Sequence, residues 1–454
     1  MKSTSRPSGA IFPTPDTYQV SGRGQLPSAF AVSDMASASL AAVGVALADL
    51  IQALNLSPTR PEVTVDHRLA SLWFGYSFAP AGWNMPNLWD DLAGDYETAD
   101  GWIKLHTNLP RHRAAALTAL GCEPDRQAVA EAASRWEGEA LETAIVEAGG
   151  VAAKLRSRTE WQSHPQGRAV ASEPLIGWTA PRHIKLRERP EANAERPLAG
   201  LRVIDLTRVL AGPVSTRTLA GFGAEVLRID PPGWDEPGVI PDISLGKRCV
   251  YLDLKSRDGI DRLRELLADA DVLVHGYRPG ALDGLGLDLA TRDRIAPNRV
   301  EVCLDAYGWT GPWAGRRGFD SLVQMSSGIA AEGRLWAGAD RPTPLPVQAL
   351  DHATGYLMAA ALLSALATAA RGEKTALSRL SLTRTAEALI NWPENTSNNA
   401  PITATSTDYG AETEQSGWGP GHRLRPALSL STTGMRWDRP AGRLGSAAAT
   451  WSTD

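Results

Sequence analysis

PLAGLRVIDLTRVLAGPVSTRTLAGFGAEVLRID, residues 197–230, decides the fold of this chain. An apolar strand over 201–206 runs into a Gly-Pro turn, a helix rich in small residues follows over 214–222, and a second apolar strand over 225–229 ends at Asp230. GKRCVYLDL at 246–254 adds another strand, and the alternation continues with a helix over 258–268 and strands over 272–275 and 300–304. Strands and helices in this rhythm predict an open parallel sheet with helices on both faces. In such a sheet the ligand sits outside the carboxyl ends of the strands, which directs attention to DLTRVLAGP at 205–213.

A dinucleotide is the obvious ligand for this arrangement, and Asp230 stands where such a fold keeps its ribose-binding acid. The turn nevertheless holds only Gly212, with Pro213 at the crowded position. Without G-x-G-x-x-G a pyrophosphate lacks the close backbone approach that glycines allow at a helix N-terminus. Another coenzyme is indicated.

Composition narrows the class further. A chain of 454 residues exceeds one ordinary core, so two domains with extensions are expected. Cys122, Cys249 and Cys303 are odd in number, far apart and without metal-ligand spacing, which points to a reducing compartment, the cytosol by default, and to neither a disulfide framework nor a metal centre. A net charge of −5 offers no general attraction to nucleic acid or to an anionic membrane. The N-terminus lacks an apolar core of signal-peptide length, and the Ala-rich stretch 36–50 is short and flanked by Asp34 and Asp49, so neither an export signal nor a membrane span is expected.

The pattern divides the chain into a wrapping or disordered tail (1–27), a small α+β domain (28–177), a linker rich in Pro and charge (178–196), the α/β domain (197–390) and an extended C-terminal arm (391–454). Within the small domain a helix is expected over 28–54, a strand over 62–66, a hairpin edge over 98–107 and one helix over 126–148 ending at two glycines. A long Ala/Leu helix is expected from Tyr356 to Ala370, and the arm is expected to hold no clear element and to pack through Trp418, Trp437 and Trp451.

Several side chains carry possible chemistry. Lys247 and Arg248 precede one strand and Tyr277-Arg278 follow another, and cations at strand ends suit phosphate oxygens, although such positions are also ordinary solvated ones. Arg208 and Val209 could line the approach of an extended ligand, with a surface ion pair as the plain alternative for Arg208. In GWTGPWAGRRGFDSLVQMSSGIA, 308–330, Asp320 stands at the lip of an apolar segment. A poorly hydrated carboxylate there is a candidate nucleophile, while Asp followed by Ser-Leu-Val also fits a helix N-cap. Asp351-His352 before Ala-Thr-Gly has the same two readings.

These stretches, together with GKRCVYLDLKSRDG, ADVLVHGYRPGALDGLGLD and DHATGYLMAAALLSAL, resemble the class III coenzyme A transferases, the CaiB/BaiF group of carnitine, formyl and bile-acid CoA-transferases. The resemblance covers 197–389, with five motifs in the family's order and spacing. It implies an open, Rossmann-like CoA domain of the α/β class beside a smaller α+β domain, here with the order of parts rearranged: the small domain is expected in front, weakly matched over 62–175. It implies Asp320 as nucleophile and Arg208, Val209, Ala211, Lys247, Tyr277 and Arg278 lining the coenzyme. The implied reaction moves CoA from an acyl-CoA thioester to a small carboxylic acid through an aspartyl mixed anhydride and an aspartyl-CoA thioester, without metal, with backbone N–H groups of the Gly-rich approach steadying the oxyanions. Homodimers, often interlocked, are implied as well.

Two other functions fit the same scaffold. An α-methylacyl-CoA racemase needs a histidine across the α-carbon from the acid, and none lies between Tyr277 and Asp320, so His275 or His352 would have to serve. A catalytically silent acyl-CoA-binding subunit is the third reading, which retention of Asp320 disfavours.

Overall fold

The protein is described from a computed structural model covering residues 12–393 and 400–452. Its first long element is helix α1 (Val32–Ala53), followed by a small antiparallel sheet of β1 (Gly94–Thr98), β2 (Gly101–Leu105) and β3 (Ala152–Lys154). The large sheet is built from β4 (Gly177–Trp178), β5 (Arg202–Leu206), β6 (Glu225–Asp230), β7 (Lys247–Tyr251), β8 (Val272–His275), β9 (Val300–Asp305) and β10 (Ser378–Ser381). Helix α2 (Ala211–Gly221) follows β5, and α3 (Asp320–Ser326) and α4 (Ala349–Ala370) lie between β9 and β10.

The seven strands stand in the order β7-β6-β5-β8-β9-β10-β4, parallel throughout except for β4. Residues 203–206 and 272–275 are wholly buried, as expected for strands covered by helices on both faces. The chain leaves β5 toward β6 and β7 and then returns to β8 on the other side. A crevice therefore opens at the carboxyl ends of β5 and β8, the switch point of the sheet.

One face carries α1, α2 and α4, which share the main core with β5, β8 and β9. Close approach of α4 to α2 depends on Gly355, where a β-carbon would stand 2.4 Å from the Ala211 carbonyl oxygen and 2.7 Å from Val214 Cβ. Helices α1 and α4 are each long and apolar enough to cross a membrane, yet 83% of either apolar window is buried inside the fold. They are the greasy centre of this core.

Residues 28–177 are spread over two cores. Helix α1 belongs to the main one, while β1–β3 and the helices Pro110–Leu120, Arg126–Ala133 and Gly138–Glu147 enclose another. Where one helix was expected over 126–148 there are two, parted at Trp136, whose N–H is satisfied by the Ala133 carbonyl. The small unit docks on α3: Val151 and Ala153 pack with Leu322 and Met325, and the Arg156 N–H donates to the Met325 carbonyl at 3.0 Å.

Helix α4 begins at Ala349 and not at Tyr356, so Asp351 and His352 occupy its first turn. The arm holds short strands: Gly419–Arg423 pairs with Phe78–Pro80, and Leu428–Leu430 with Val63–Asp66. Its tryptophans anchor it to this same chain. Trp437 stacks on Trp73 at 5.4 Å and donates to the Arg217 carbonyl at 2.8 Å, and Trp451 donates to the Leu266 carbonyl at 3.1 Å.

Candidate active site

At the switch point two buried carboxylates share one small cavity. Asp320 opens α3, Asp351 lies in the first turn of α4, and both line a space of about 40 Å³ together with Val209, Leu210, His106 and Phe319. That volume holds a water or two.

The two acids are held differently. Asp320 Oδ1 accepts the Gln324 amide at 2.5 Å, its Oδ2 accepts the Asp351 backbone N–H at 2.9 Å, and the Leu350 N–H also points at it. It is thus a cap, as one of its two readings held, but for the orphan donors of α4 and not for its own helix. Gln324 is fixed in turn by accepting the Leu345 N–H at 2.7 Å. Asp351 receives only the Ala211 N–H, and among the described residues its carboxylate has no side-chain hydrogen bond. It is 6% exposed against 1% for Asp320.

Burial pushes the Asp320 carboxyl up to about 6 against the pull of these donors. Asp351 is raised well above the usual carboxylate range, first by burial, then by the Asp320 charge and by Glu236. Two carboxylates this close retain one proton between them near neutrality, as like charges in a desolvated site must.

The turn after β5 forms the opposing wall. Val209 has φ of +63°, a left-handed conformation that a β-branched residue rarely takes, and its N–H donates to both Glu236 carboxylate oxygens at 3.0 and 3.1 Å. Strain of this kind survives only where the surroundings impose it. Gly212 serves packing: a β-carbon there would lie 2.3 Å from Thr207 Cβ.

Of the residues expected along the coenzyme, Val209 lines the cavity and Ala211 serves Asp351. Arg208 and Tyr277 stand at the neighbouring strand ends: Arg208 pairs with Asp230 at 3.2 Å and lies over Trp234 at 5.3 Å, while Tyr277 is half-buried. Arg278 is exposed on the loop after β8. Asp230 is fully buried between Arg208 and Arg228 and has no free oxygen to offer a ribose.

Lys247 has its ammonium already engaged within the protein. Its backbone begins β7, and its Nζ reaches the turn after β5, where it is buried against Asp205 and the Pro213 carbonyl, both at 2.9 Å. Arg248 is likewise taken, by Glu225 at 2.8 Å. In the Gly-rich approach the N–H groups of Trp309 and Thr310 go to Glu173 and that of Trp313 goes to Gln166, which leaves the N–H groups of Gly315 and of 317–319, nearer Asp320, without such partners among the described residues.

Residues of the small unit complete the site, and the sequence reading missed them. His106 stacks face to face on Phe319 at 3.8 Å, and His112 meets the same ring edge-on at 6.0 Å. Burial, and then the neighbouring His112, brings His106 down to about 3. The pair in HTNLPRH was the available signal, a weak one without the fold. His275 is bound to Glu301 at 3.3 Å and His352 is buried against Phe74, and neither lines the cavity.

A family model described as CoA-transferase family III matches residues 198–414, the segment that carries Val209, Asp320 and Asp351. Over this segment, just under half of its length, the chain is similar to CoA-transferase family III. Among its relatives, the succinyl-CoA:glutarate CoA-transferase of Mus musculus is 32% identical over 194 residues, 40% of this chain and 44% of that protein. The formyl-CoA:oxalate CoA-transferase of Escherichia coli O81 (strain ED1a) is 30% identical over 37% of this chain and 44% of its own length. A crystal structure of a CAIB/BAIF family protein from Brucella suis aligns with a TM-score of 0.38 and 26% identity, covering 50% of this chain and 65% of that one. The chain spans between a third and a half of the length of the curated relatives it matches.

Proposed function

We propose that this protein transfers coenzyme A between an acyl-CoA thioester and a small carboxylic acid through a covalent aspartyl intermediate. The observation that carries this reading is the desolvated Asp320–Asp351 pair at the switch point of a family III sheet. Desolvation leaves a carboxylate poorly hydrated and therefore more reactive toward a neutral carbonyl.

Geometry favours Asp351 over Asp320 as the attacking group. Asp320 has its oxygens committed to the Gln324 amide and the N–H groups of α4, whereas Asp351 keeps lone pairs free and faces the Val209–Ala211 turn. In the first step an ionised Asp351 oxygen attacks the thioester carbonyl. The C–S bond breaks, CoA leaves as thiolate, and an aspartyl-acyl anhydride remains. The thiolate then attacks the aspartyl carbonyl of that anhydride, which releases the donor's carboxylate and leaves an aspartyl-CoA thioester. The acceptor carboxylate attacks this thioester to form a new anhydride, and the thiolate returns to the acceptor's carbonyl, giving the new acyl-CoA and free Asp351. Because the pair holds a proton in the resting state, acylation accelerates as pH rises and that proton is lost.

A racemase reading gains a histidine near the acid, His106, but one whose buried and stacked imbidazole has too little basicity to take an α-proton at neutral pH. It ranks second.

The test is incubation with a panel of acyl-CoA thioesters, trapping with hydroxylamine, and peptide mass analysis of 318–324 and 349–356. A hydroxamate on Asp351, absent in Asp351→Asn, is expected. A hydroxamate on Asp320 would reverse the roles of the two acids, and no adduct on either acid with any thioester would overturn covalent transfer.

A further inference from the structure

The cavity at the carboxylate pair holds two polar side chains whose hydrogen-bonding capacity is unspent. Ser321, the residue after Asp320, lines it and is 6% exposed, and its hydroxyl has no hydrogen-bond partner among the described residues. His106 lines it from the small unit, equally buried, with its Nδ1 enclosed and unpartnered. The imidazole is held by rings and not by hydrogen bonds: it stacks on Phe319 at 3.8 Å and meets Trp89 edge-on at 5.6 Å.

Buried polar groups are almost always paired, so two unmet ones on one small space call for a partner that arrives with a ligand. The remaining neutral polar side chains of the cavity differ. Asn108 donates to the Leu88 carbonyl at 2.8 Å and accepts the Asp90 N–H at 3.1 Å, and Gln348 is half-buried. Chemistry narrows the partner further. The Ser321 hydroxyl is a donor that turns about its own bond, and His106, kept neutral by burial, carries one N–H. Such donors suit an oxygen atom that gains charge, and a space of about 40 Å³ admits a group of that size.

We propose that the Ser321 hydroxyl and the His106 imidazole are catalytic residues that donate hydrogen bonds to the thioester's carbonyl oxygen as it becomes a tetrahedral oxyanion. The inference rests on the transferase reading for the attack that creates this oxyanion. As the Asp351 oxygen bonds to the thioester carbon, the carbonyl π pair moves onto the oxygen and both hydrogen bonds tighten. When the carbonyl re-forms, the C–S bond breaks and its electron pair leaves with CoA as thiolate. Neither donor gives up its proton, so the low basicity that unfits His106 as a base does not hinder it here. Ser321 comes from α3 and His106 follows β2 directly, so docking of the small unit assembles the two donors.

Single-turnover labelling by formyl-, acetyl-, succinyl- and glutaryl-CoA, trapped with hydroxylamine, compares the full chain with Ser321→Ala, His106→Phe and His106→Gln. Removing one oxyanion donor should slow labelling at saturation by about a hundred- to a thousand-fold and leave KM nearly unchanged, because the bond tightens only as charge develops. His106→Phe keeps the stack on Phe319 and loses the N–H, whereas His106→Gln loses the stack and keeps a donor. His106→Gln should be the faster of the two; the reverse order would make His106 a packing residue and overturn its role. Ser321→Ala should unfold at or above the parental midpoint, since it deletes an unpaired buried hydroxyl.

The trifluoroacetonyl thioether of CoA gives a readout without turnover, because its ketone hydrates to a tetrahedral centre one bond beyond the position of the thioester carbon. Its dissociation constant, measured by calorimetry, should rise about ten-fold in Ser321→Ala and His106→Phe, while that of CoA stays put. Donor-dependent binding of this analogue by a protein that labels neither acid would sink the transferase and leave the donors standing. Parental labelling rates in Ser321→Ala and His106→Phe would overturn the donors and leave the transferase standing.

Discussion

Replacing Lys247 by methionine separates a structural lysine from a phosphate-binding one. Its ammonium and the Asp205 carboxylate are both fully buried and 2.9 Å apart. Desolvation brings Lys247 down to about 8, because one carboxylate and one carbonyl compensate it incompletely. Asp205 resists the same desolvation: Lys247, Arg228 and the hydroxyls of Thr207 and Thr216 hold it at about 2. Methionine keeps the volume and removes the charge, which strands Asp205. Breaking a buried pair costs about 3–5 kcal/mol. The remaining donors and Arg228 place this case near the low end, and the Pro213 carbonyl loses a donor worth about 1 kcal/mol. A total near 4 kcal/mol, at about 2–4 °C per kcal/mol for a cooperative unit of roughly 200 residues, lowers the unfolding midpoint by about 8–16 °C. The assay is thermal and urea unfolding at pH 7, with CoA binding measured by calorimetry well below the transition. Binding per folded molecule should be unchanged. An unaltered midpoint with weakened CoA binding would refute the reasoning and return Lys247 to the coenzyme.

Two further outcomes follow from the site. The folded-state value of Asp320, about 6 against 3.8 for an ordinary aspartate, is raised, so the stability present below pH 3.8 is lost as pH climbs through 6; for a fully buried group this amounts to about 3 kcal/mol. Asp320→Asn should remove that decline, and urea titrations at pH 4, 5, 6 and 7 showing the same slope as the parent would contradict it. Gly355→Ala should force α4 from α2, destabilising by about 1–3 kcal/mol and slowing acyl transfer by shifting the Ala211 N–H from Asp351. Gly284→Ala, with open space around it, should stay within about 0.5 kcal/mol; equal effects in the two variants would disprove the close-approach account.

What the sequence disclosed and what it hid divide along a physical line. VIDL in β5 and VLVH in β8 are buried on both faces, so their apolar runs announced a parallel sheet, and the order of elements then located the switch point at Val209–Ala211. Those facts are local. The start of α4 was hidden because Asp, His, Thr and Gly are poor helix formers, and what rescues its first turn is a carboxylate 31 residues earlier in the chain. The pairing of Lys247 was hidden for a similar reason, since a lysine before a strand looks the same whether it meets water or Asp205, 42 residues upstream. His106 was invisible as a site residue because only docking of the small unit on α3 brings it to Phe319.

The burial of two acids together also explains why the site stands at the head of a 22-residue helix. The first turn of α4 offers orphan N–H groups and the positive end of its dipole, both of which favour negative charge. Asp320 takes those donors and can hold the pair's charge, while Asp351, inside the same turn, is left underserved beside it. Leu210, Val239 and Phe319 keep the cavity apolar and thereby withhold the water that would otherwise stabilise the second carboxylate. On the proposed mechanism the fold gives up stability at one point to keep one acid reactive, a concession that the long apolar contact of α1 with α4 can absorb. A single buried aspartate on the same helix would accept all the cap donors itself and lose that reactivity, so the pairing is the feature on which the proposed covalent chemistry depends.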